Sequence, residues 1–350
     1  MTSKHWLTGA LKHGLAGACL SLAVTTLASG AHAQTSTLDR VKARGELICG
    51  NHIALPGFGL QGPDGRWDGL DIDMCRAVAA AIFNDPNKIK FVPTTPQMRF
   101  VVVQAGEVDM LARNATYTMS RDTSQGMSWP IINYFDGQGF MVKKALGVTE
   151  AKGLNGASIC VTQGTTTELN LADFFRSNNL KYEVIGFSTN EEGVKALEAG
   201  RCDAFTTDSS GLAAERLKFS KPDDFTILPT LISREPLGPA VKRGDESWFA
   251  LVKWAHYAML NAEEFGVTKA NVDEMLKSPN PEVKRLLGVE GKFGEGLGLT
   301  NDWAYRIVKH VGNYGESFER NVGMGSRLQL KRGLNDLASR GGLQYPHPIR

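Results

Sequence analysis

Twice along this chain a short apolar run gives way to a helix-length segment and returns, and this alternation limits the fold more than any other feature. From residue 46 the order reads strand 46–49, helix 71–83, strand 89–92, helix 97–105 closed by Gly106, then the apolar run Val108 to Ala112. Asp71 or Asp73 would cap the first of these helices, whose apolar stripe is Met74, Ala77, Val78, Ala81 and Ile82. From residue 158 the pattern restarts: strand 158–161, helix 165–178, strand 182–187, helix 190–199, strand 204–207, helix 209–218, strand 225–227. Strands separated by helices pair in parallel, and ligands of such α/β sheets sit at the strands' carboxyl ends. A length of 350 residues accommodates two such units, each with its own core.

The connecting segments fit this division. Residues 135–143 read as an extended crossing from the first unit to the second. Residues 233–241 read as a return strand, and Glu246 to Glu264 as a long helix carrying Trp248, Leu251, Val252, Ala255, Met259 and Leu260. An amphipathic helix 38–44, ended by Gly45, precedes the first strand, and Pro63-Asp64-Gly65 is strong turn chemistry. Beyond Gly288 the sequence is Gly-rich, with helices expected over 302–311 and near 327–340 and no chemistry to attach to either.

Residues 1–33 have the pattern of a secretory leader: Lys4 and Lys12, an apolar stretch over 15–27, and small residues ending in Ala31-His32-Ala33, with cleavage expected after Ala33. Cys19 lacks the context of a lipid-attachment site, because Ala16 stands where a larger aliphatic residue is usual. The formal charge of +2 belongs to the leader, so the mature chain is neutral and carries no basic stripe for nucleic acid. Four cysteines remain after cleavage. Three disulfide connectivities are open, and nearness in sequence favours Cys49 with Cys75 and Cys160 with Cys202. The competing reading, a zinc site, lacks a CxxC pair and has only His52 nearby.

Three segments carry recognition chemistry. Asn114, Thr116 and Arg121 follow a strand end, where a guanidinium and small polar groups can converge on a carboxylate; alone, the segment reads equally well as a solvated arginine after an ordinary strand. Thr165 with Glu168 forms a capping box, so the N–H groups around Thr165 and Thr166 offer an anion site, or simply a capped helix. Asp208 ends an apolar strand and can receive an ammonium, cap the next helix, or do both. The loop from Asn51 to Phe58 holds His52, Leu55 and Phe58, apolar enough either to line a pocket or to fold onto the core.

The order of these motifs resembles that of the periplasmic solute-binding proteins of polar amino-acid ABC importers (family 3), most closely the long general L-amino-acid binding type, over essentially the whole mature chain. The resemblance is carried by Trp67 to Asp73, the LxxGxxD-like Gln104 to Asp109, Thr116 to Arg121, Gly164 to Glu168 and Gly200 to Asp208. It implies the type II periplasmic binding fold, two Rossmann-like α/β lobes joined by a two-strand hinge. The expected boundaries are lobe 1 over 34–140, lobe 2 over 141–232, a return to lobe 1 over 233–288, and a helical extension on lobe 1 over 289–350. The ligand-binding set it implies is Arg121 and Thr116 with Thr165 and Thr166 for the α-carboxylate, and Asp208 with Asn114 for the α-ammonium. Arg99, Leu55 and His52 would face the side chain. Where basic-amino-acid binders carry an Asp and an aromatic residue, this chain has His52 and Leu55, which favours broad or polar-to-acidic ligands. The implied partners are a free L-amino acid and an inner-membrane ABC permease, with no cofactor, no metal, no nucleic acid and a monomeric state. Closure of the lobes over the ligand is the signal. Periplasmic cyclohexadienyl or arogenate dehydratases share the fold and are the enzymatic alternative, for which no general acid in this sequence forms an evident triad.

Overall fold

The computed structural model describes residues 35–350; the leader and its expected cut lie outside the described residues. Two sheets organise the chain. The first runs in the order Ile89–Pro93, Leu47–Asn51, Met110–Thr116, Glu235–Lys242, Met127–Ser128, with Tyr134–Asp136 also on Glu235–Lys242. Its first three strands are parallel, and Glu235–Lys242 returns antiparallel to Met110–Thr116. The second sheet runs Tyr182–Phe187, Ala157–Thr162, Ala204–Asp208, Gln138–Lys143, Phe225–Ile227. The alternation of the sequence therefore becomes two α/β lobes, and both disulfides form in the pairing expected from sequence proximity.

Side chains on successive strand residues point to opposite faces, so a sheet covered by helices on both sides has apolar residues at consecutive positions. In the second lobe Phe140 and Val142 pack with Leu171 and Phe175 on one face, while Met141 packs with Leu197, Phe205 and Leu212 on the other. The lobes are joined by two paired strands, Asp136 lying opposite Glu235 and Tyr134 opposite Leu237. The chain thus leaves the first sheet after Asp136 and returns to it at Glu235, and two carboxylates stand side by side at the hinge.

Asp71 and Asp73 do not cap their helix. Leu70–Phe83 begins at Gly69 without a side-chain cap, and both acids are buried with other partners. Asp71 Oδ2 accepts from the Asn114 backbone N–H at 2.7 Å. Asp73 Oδ2 accepts from Ser317, Arg320 and Asn321 of the C-terminal region. That region contains a helix the sequence reading missed, Tyr314–Asn321, although its signal is plain: Asn313 and Glu316 form a reciprocal capping box. The expected helix near 327–340 is absent. Two short 3-10 turns, Gly333–Asn335 and Ala338–Arg340, occupy this stretch, where Gly333 and Gly341 take positive φ angles that a continuous right-handed helix cannot contain. Trp303, Ile307, Tyr314 and Phe318 join Trp248, Met74 and Val78 in one core, so the C-terminal residues complete the first lobe rather than trail from it. Among the described residues, no helix is long and apolar enough to cross a membrane.

Candidate functional site

The carboxyl end of Met110–Thr116 is bent by its own backbone. Asn114 has φ 34, a left-handed conformation inside a strand, and its N–H is turned away from the ladder onto Asp71. A non-glycine residue held there stores strain, and surrounding contacts must compensate. The bend leaves Asn114 Oδ1 buried without a hydrogen-bond partner. Two residues on, Thr116 faces the other lobe, and its hydroxyl lies 3.3 Å from that of Thr166.

Arg121 follows on the short helix Met119–Thr123, capped by Thr118. Its Nη1 donates to the Thr116 carbonyl at 2.8 Å, and its guanidinium lies 5.1 Å from the Phe100 ring. Nε and Nη2 have no hydrogen-bond partner among the described residues. Burial lowers the arginine's pKa, while Glu235 and Asp208 support its charge. Arg121 thus sits behind Thr116 rather than in the wall of the cavity described below, where Arg99 and Arg113 are the guanidinium groups.

In the second lobe Thr165 caps helix Thr166–Ser177 by accepting from Glu168 N–H. Its hydroxyl is fully committed, because it also donates to the Thr162 carbonyl at 2.6 Å and accepts from Thr167 Oγ1 at 2.8 Å. The Glu168 carboxylate reaches Gly164 N–H, one residue earlier than a regular capping box. Thr165 can therefore offer a ligand its backbone but not its hydroxyl. Asp208 occupies the N-cap position of helix Ser209–Arg216 and makes no capping bond. Asp136 takes that task from the hinge, accepting from both Ser210 N–H and Ser210 Oγ. Asp208 is thereby freed, 6% exposed, with Oδ1 lacking a partner. Burial pushes its pKa well up, Asp136 and Glu235 add to the rise, and Arg99 and Arg121 oppose it.

Glu235 carries no motif, and the sequence reading missed it. Its only signal was a lone acid opening an otherwise apolar return strand. It is 1% exposed, and its Oε2 accepts from Thr116 Oγ1 at 2.7 Å and from Thr166 Oγ1 at 2.9 Å. Oε1 accepts from Asn170 Nδ2 at 2.7 Å and Ser233 Oγ at 2.5 Å. A hydroxyl has one proton, and an ionised carboxylate can only accept. Thr116 and Thr166 therefore spend their protons on Glu235 and turn lone pairs toward the space between the lobes.

That space is a cavity of about 140 Å³ with walls from both lobes, room for a small solute. His52, Ile53, Ala54, Arg99, Arg113, Asn114 and Thr116 line it from the first lobe; Thr165, Thr166, Asp208, Glu215 and Lys218 line it from the second. Leu55, expected at the side-chain end, is instead fully buried in the core. In the two-residue strand Ala54–Leu55 adjacent side chains point opposite ways, so with Leu55 inward Ala54 meets the cavity, which Ile53 joins from the loop before the strand. His52 is held neutral, its pKa lowered by burial and by Arg113, Lys218 and Arg99. Its Nδ1 accepts from Ala54 N–H at 3.1 Å, so the ring proton resides on Nε2. Arg99 Nε is buried and unpartnered. Arg113, a cation the sequence reading passed over, donates to the Thr94 carbonyl, and burial lowers its pKa to about 10 with Asp71 opposing. Among the described residues no three His, Cys, Asp or Glu side chains cluster as metal ligands.

Comparison with known proteins agrees with this architecture. Residues 47–269 match the family model "Bacterial extracellular solute-binding proteins, family 3". The chain is 52% identical over 342 residues to the General L-amino acid-binding periplasmic protein AapJ of Rhizobium johnstonii, covering 97% of this chain and 100% of the relative. It is 50% identical to the Glutamate/glutamine/aspartate/asparagine-binding protein BztA of Rhodobacter capsulatus, covering 94% and 98% respectively. Among solved structures, an ABC transporter periplasmic binding protein from Brucella ovis with glutathione bound superposes with TM-score 0.89 at 53% identity, covering 91% of this chain and all of the other. Two α/β lobes on a paired-strand hinge and a polar cavity between them, together with these matches, place the chain in the bacterial extracellular solute-binding proteins, family 3.

Proposed function

We propose that this protein captures free L-amino acids in the periplasm and presents them to an inner-membrane ABC permease, acting as a monomer and without catalysis. One observation carries the reading: in an interlobe cavity, an unpaired carboxylate oxygen on Asp208 and an unpaired amide oxygen on Asn114 coexist with an unspent guanidinium donor on Arg99, and Arg121 stands behind the wall at Thr116 with Nε and Nη2 uncommitted. Buried polar atoms without partners are costly, and a zwitterion supplies both kinds at once. The α-ammonium would meet Asp208 Oδ1, Asn114 Oδ1 and the Thr116 hydroxyl, which has only a lone pair to give. The α-carboxylate would meet the first-turn N–H groups of helix Thr166–Ser177, which also favour negative charge through the helix dipole, and the free donors of Arg121, which must turn past Thr116 to reach it.

Because these groups come from both lobes, a ligand that satisfies them stabilises the arrangement in which the lobes meet. Hydrogen bonds across the cleft among the described residues include Gln97 Nε2 to the Gln163 carbonyl at 3.1 Å, Lys218 Nζ to the Ala54 carbonyl, and the group in which Thr116, Thr166 and Asn170 meet Glu235. The permease would then read closure.

The test begins with protein unfolded and refolded to remove carried-over ligand. A thermal-shift screen of the twenty amino acids should raise the melting temperature, since a ligand at a hundred times its Kd stabilises by about 2.7 kcal/mol. Arg121→Ala should weaken binding at least tenfold by calorimetry, because each charge-assisted hydrogen bond contributes ~1.5–3 kcal/mol. Unchanged affinity would remove Arg121 from the site, and no shift with any amino acid would remove the function. Ligand recovered chemically unchanged after long incubation separates a receptor from a dehydratase.

A further inference from the structure

The cavity extends past the groups that hold the zwitterion. Asp208 and Glu215 stand at the two ends of helix Ser209–Arg216, seven residues or about two turns apart, and both line the cavity. Seven residues of helix rise about 10.5 Å. Glu215 is fully buried, and neither of its oxygens has a hydrogen bond of ordinary geometry. Lys218 Nζ lies 2.9 Å from Oε2 but off the bonding direction, and it also reaches the Ala54 carbonyl of the other lobe. Burial raises the Glu215 pKa, while Lys218 and the Asn190 amide favour its charged form. Nothing in the zwitterion-binding set uses this carboxylate.

We propose that Glu215 determines side-chain specificity: it accepts from ligand side chains that end in N–H donors, so that amide and basic amino acids bind alongside acidic ones. The inference rests on the amino-acid-binding reading above and deepens it. The geometry supplies the length. With the α-ammonium on Asp208, Glu215 lies about two helical turns further along the cavity wall, so a side chain must reach along the cavity to meet it. Glutamine, lysine and arginine carry N–H donors on side chains that extend that way; alanine and serine are too short to leave the zwitterion-binding groups.

The surrounding groups explain how acidic side chains are accepted by the same space. Among the described residues, His52 Nε2–H and Arg99 Nε–H are donors without partners, and Lys218 is a third that can turn from Glu215 to the ligand, its side chain being 27% exposed. Lys218 thus stands beside Glu215, His52 lies between Lys218 and the arginines, and Arg99 lies toward Asp208, so acceptor and donors share one cavity. An acidic side chain takes the donors. A cationic or amide side chain takes Glu215 and displaces Lys218 toward solvent. Of the two expectations that His52 and Leu55 left open, broad or polar-to-acidic ligands, this proposal selects the broad one: the acid that basic binders carry in the first loop is supplied here from the opposite lobe.

The experiment is calorimetry on ligand-stripped wild-type protein and the Glu215→Gln variant with L-arginine, L-glutamine, L-glutamate and L-alanine. Glutamine at 215 keeps the volume of the side chain and removes its charge. The expected result is at least a tenfold loss of arginine affinity, with alanine changed less than threefold and glutamate unchanged or tighter. Lys218→Met should show the converse, weakening glutamate more than arginine. Equal loss for all four ligands would assign Glu215 a structural role and overturn the proposal. So would wild-type protein that binds alanine and glutamate but not arginine or glutamine. Wild-type protein that binds none of the four overturns the amino-acid-binding reading itself, and this proposal with it.

Discussion

Replacing Asp208 with asparagine should cut amino-acid affinity at least a hundredfold and, in the same protein, raise the melting temperature of the unliganded form. Both expectations have one cause. Asp208 is a carboxylate held out of water with one oxygen unpaired, beside Asp136 and Glu235, and opposed by Arg99 and Arg121. That placement is costly for the empty protein and favourable once an ammonium arrives, and truncating one member of a desolvated charge pair typically costs 2–5 kcal/mol, roughly thirtyfold to several thousandfold in Kd. The helix that follows should not suffer, because Asp136 rather than Asp208 caps it through Ser210.

The sign of the stability effect follows from linkage. A carboxyl whose pKa is raised by folding binds its proton more tightly in the native state, so the native state loses stability as pH rises from the unfolded value toward the folded one. Asparagine carries no such penalty at any pH. The stability gain of Asp208→Asn should be largest at neutral pH and shrink toward pH 4. A variant that melts lower than wild type at pH 7, or that binds amino acids within threefold of it, would show that Asp208 is a structural acid and not the ammonium partner.

Much of this architecture was legible because local pattern and tertiary role coincide. A buried strand flanked by helices is apolar at consecutive positions, and Gly106 marks its helix end in sequence as it does in space. Asp208 was legible for the same reason: an acid directly after an apolar strand in an α/β unit is already at the ligand end. Glu235 was not, because its meaning depends on Thr116, 119 residues earlier, and Thr166, 69 residues earlier, which meet only when the hinge strands pair. Arg121 was half legible. Its nearness to Thr116 could be read from the spacing, but the sequence could not reveal that one guanidinium nitrogen would be used on the Thr116 carbonyl. Leu55 was misplaced because a two-residue strand gives no periodicity from which to choose a face. Asp73 was misread for a different reason: an acid in a first helical turn is usually a cap or a dipole partner, and neither reading looks 244 residues ahead to Ser317.

Asp73→Ala should therefore be the most destabilising single change outside the hydrophobic core. The side chain is 4% exposed, and its Oδ2 alone accepts from Ser317 Oγ at 2.7 Å, Asn321 Nδ2 at 2.6 Å and Arg320 Nη2 at 2.6 Å, with Arg76 Nη1 3.6 Å from Oδ1. Alanine would remove the acceptor shared by Ser317, Asn321 and Arg320; Asn321 keeps the Ser317 carbonyl, and Arg320, 41% exposed, keeps the Val311 carbonyl and water, so the loss falls at the lower end of the about 3–5 kcal/mol for breaking a buried pair from one side. At ~2–4 °C per kcal/mol for a domain of this class, the melting temperature should fall by on the order of 10 °C. Asp73→Asn should fall between, since its amide oxygen still accepts while the charge that holds Arg320 is lost. The damage should begin at the C-terminal helix: limited proteolysis should cut first within residues 312–330, around Tyr314–Asn321, before either lobe is cleaved. Equal protection of that segment in wild type and variant would mean that the apolar contacts of Tyr314 and Phe318 hold the C-terminal helix without the acid. Its docking would then be a matter of area rather than charge.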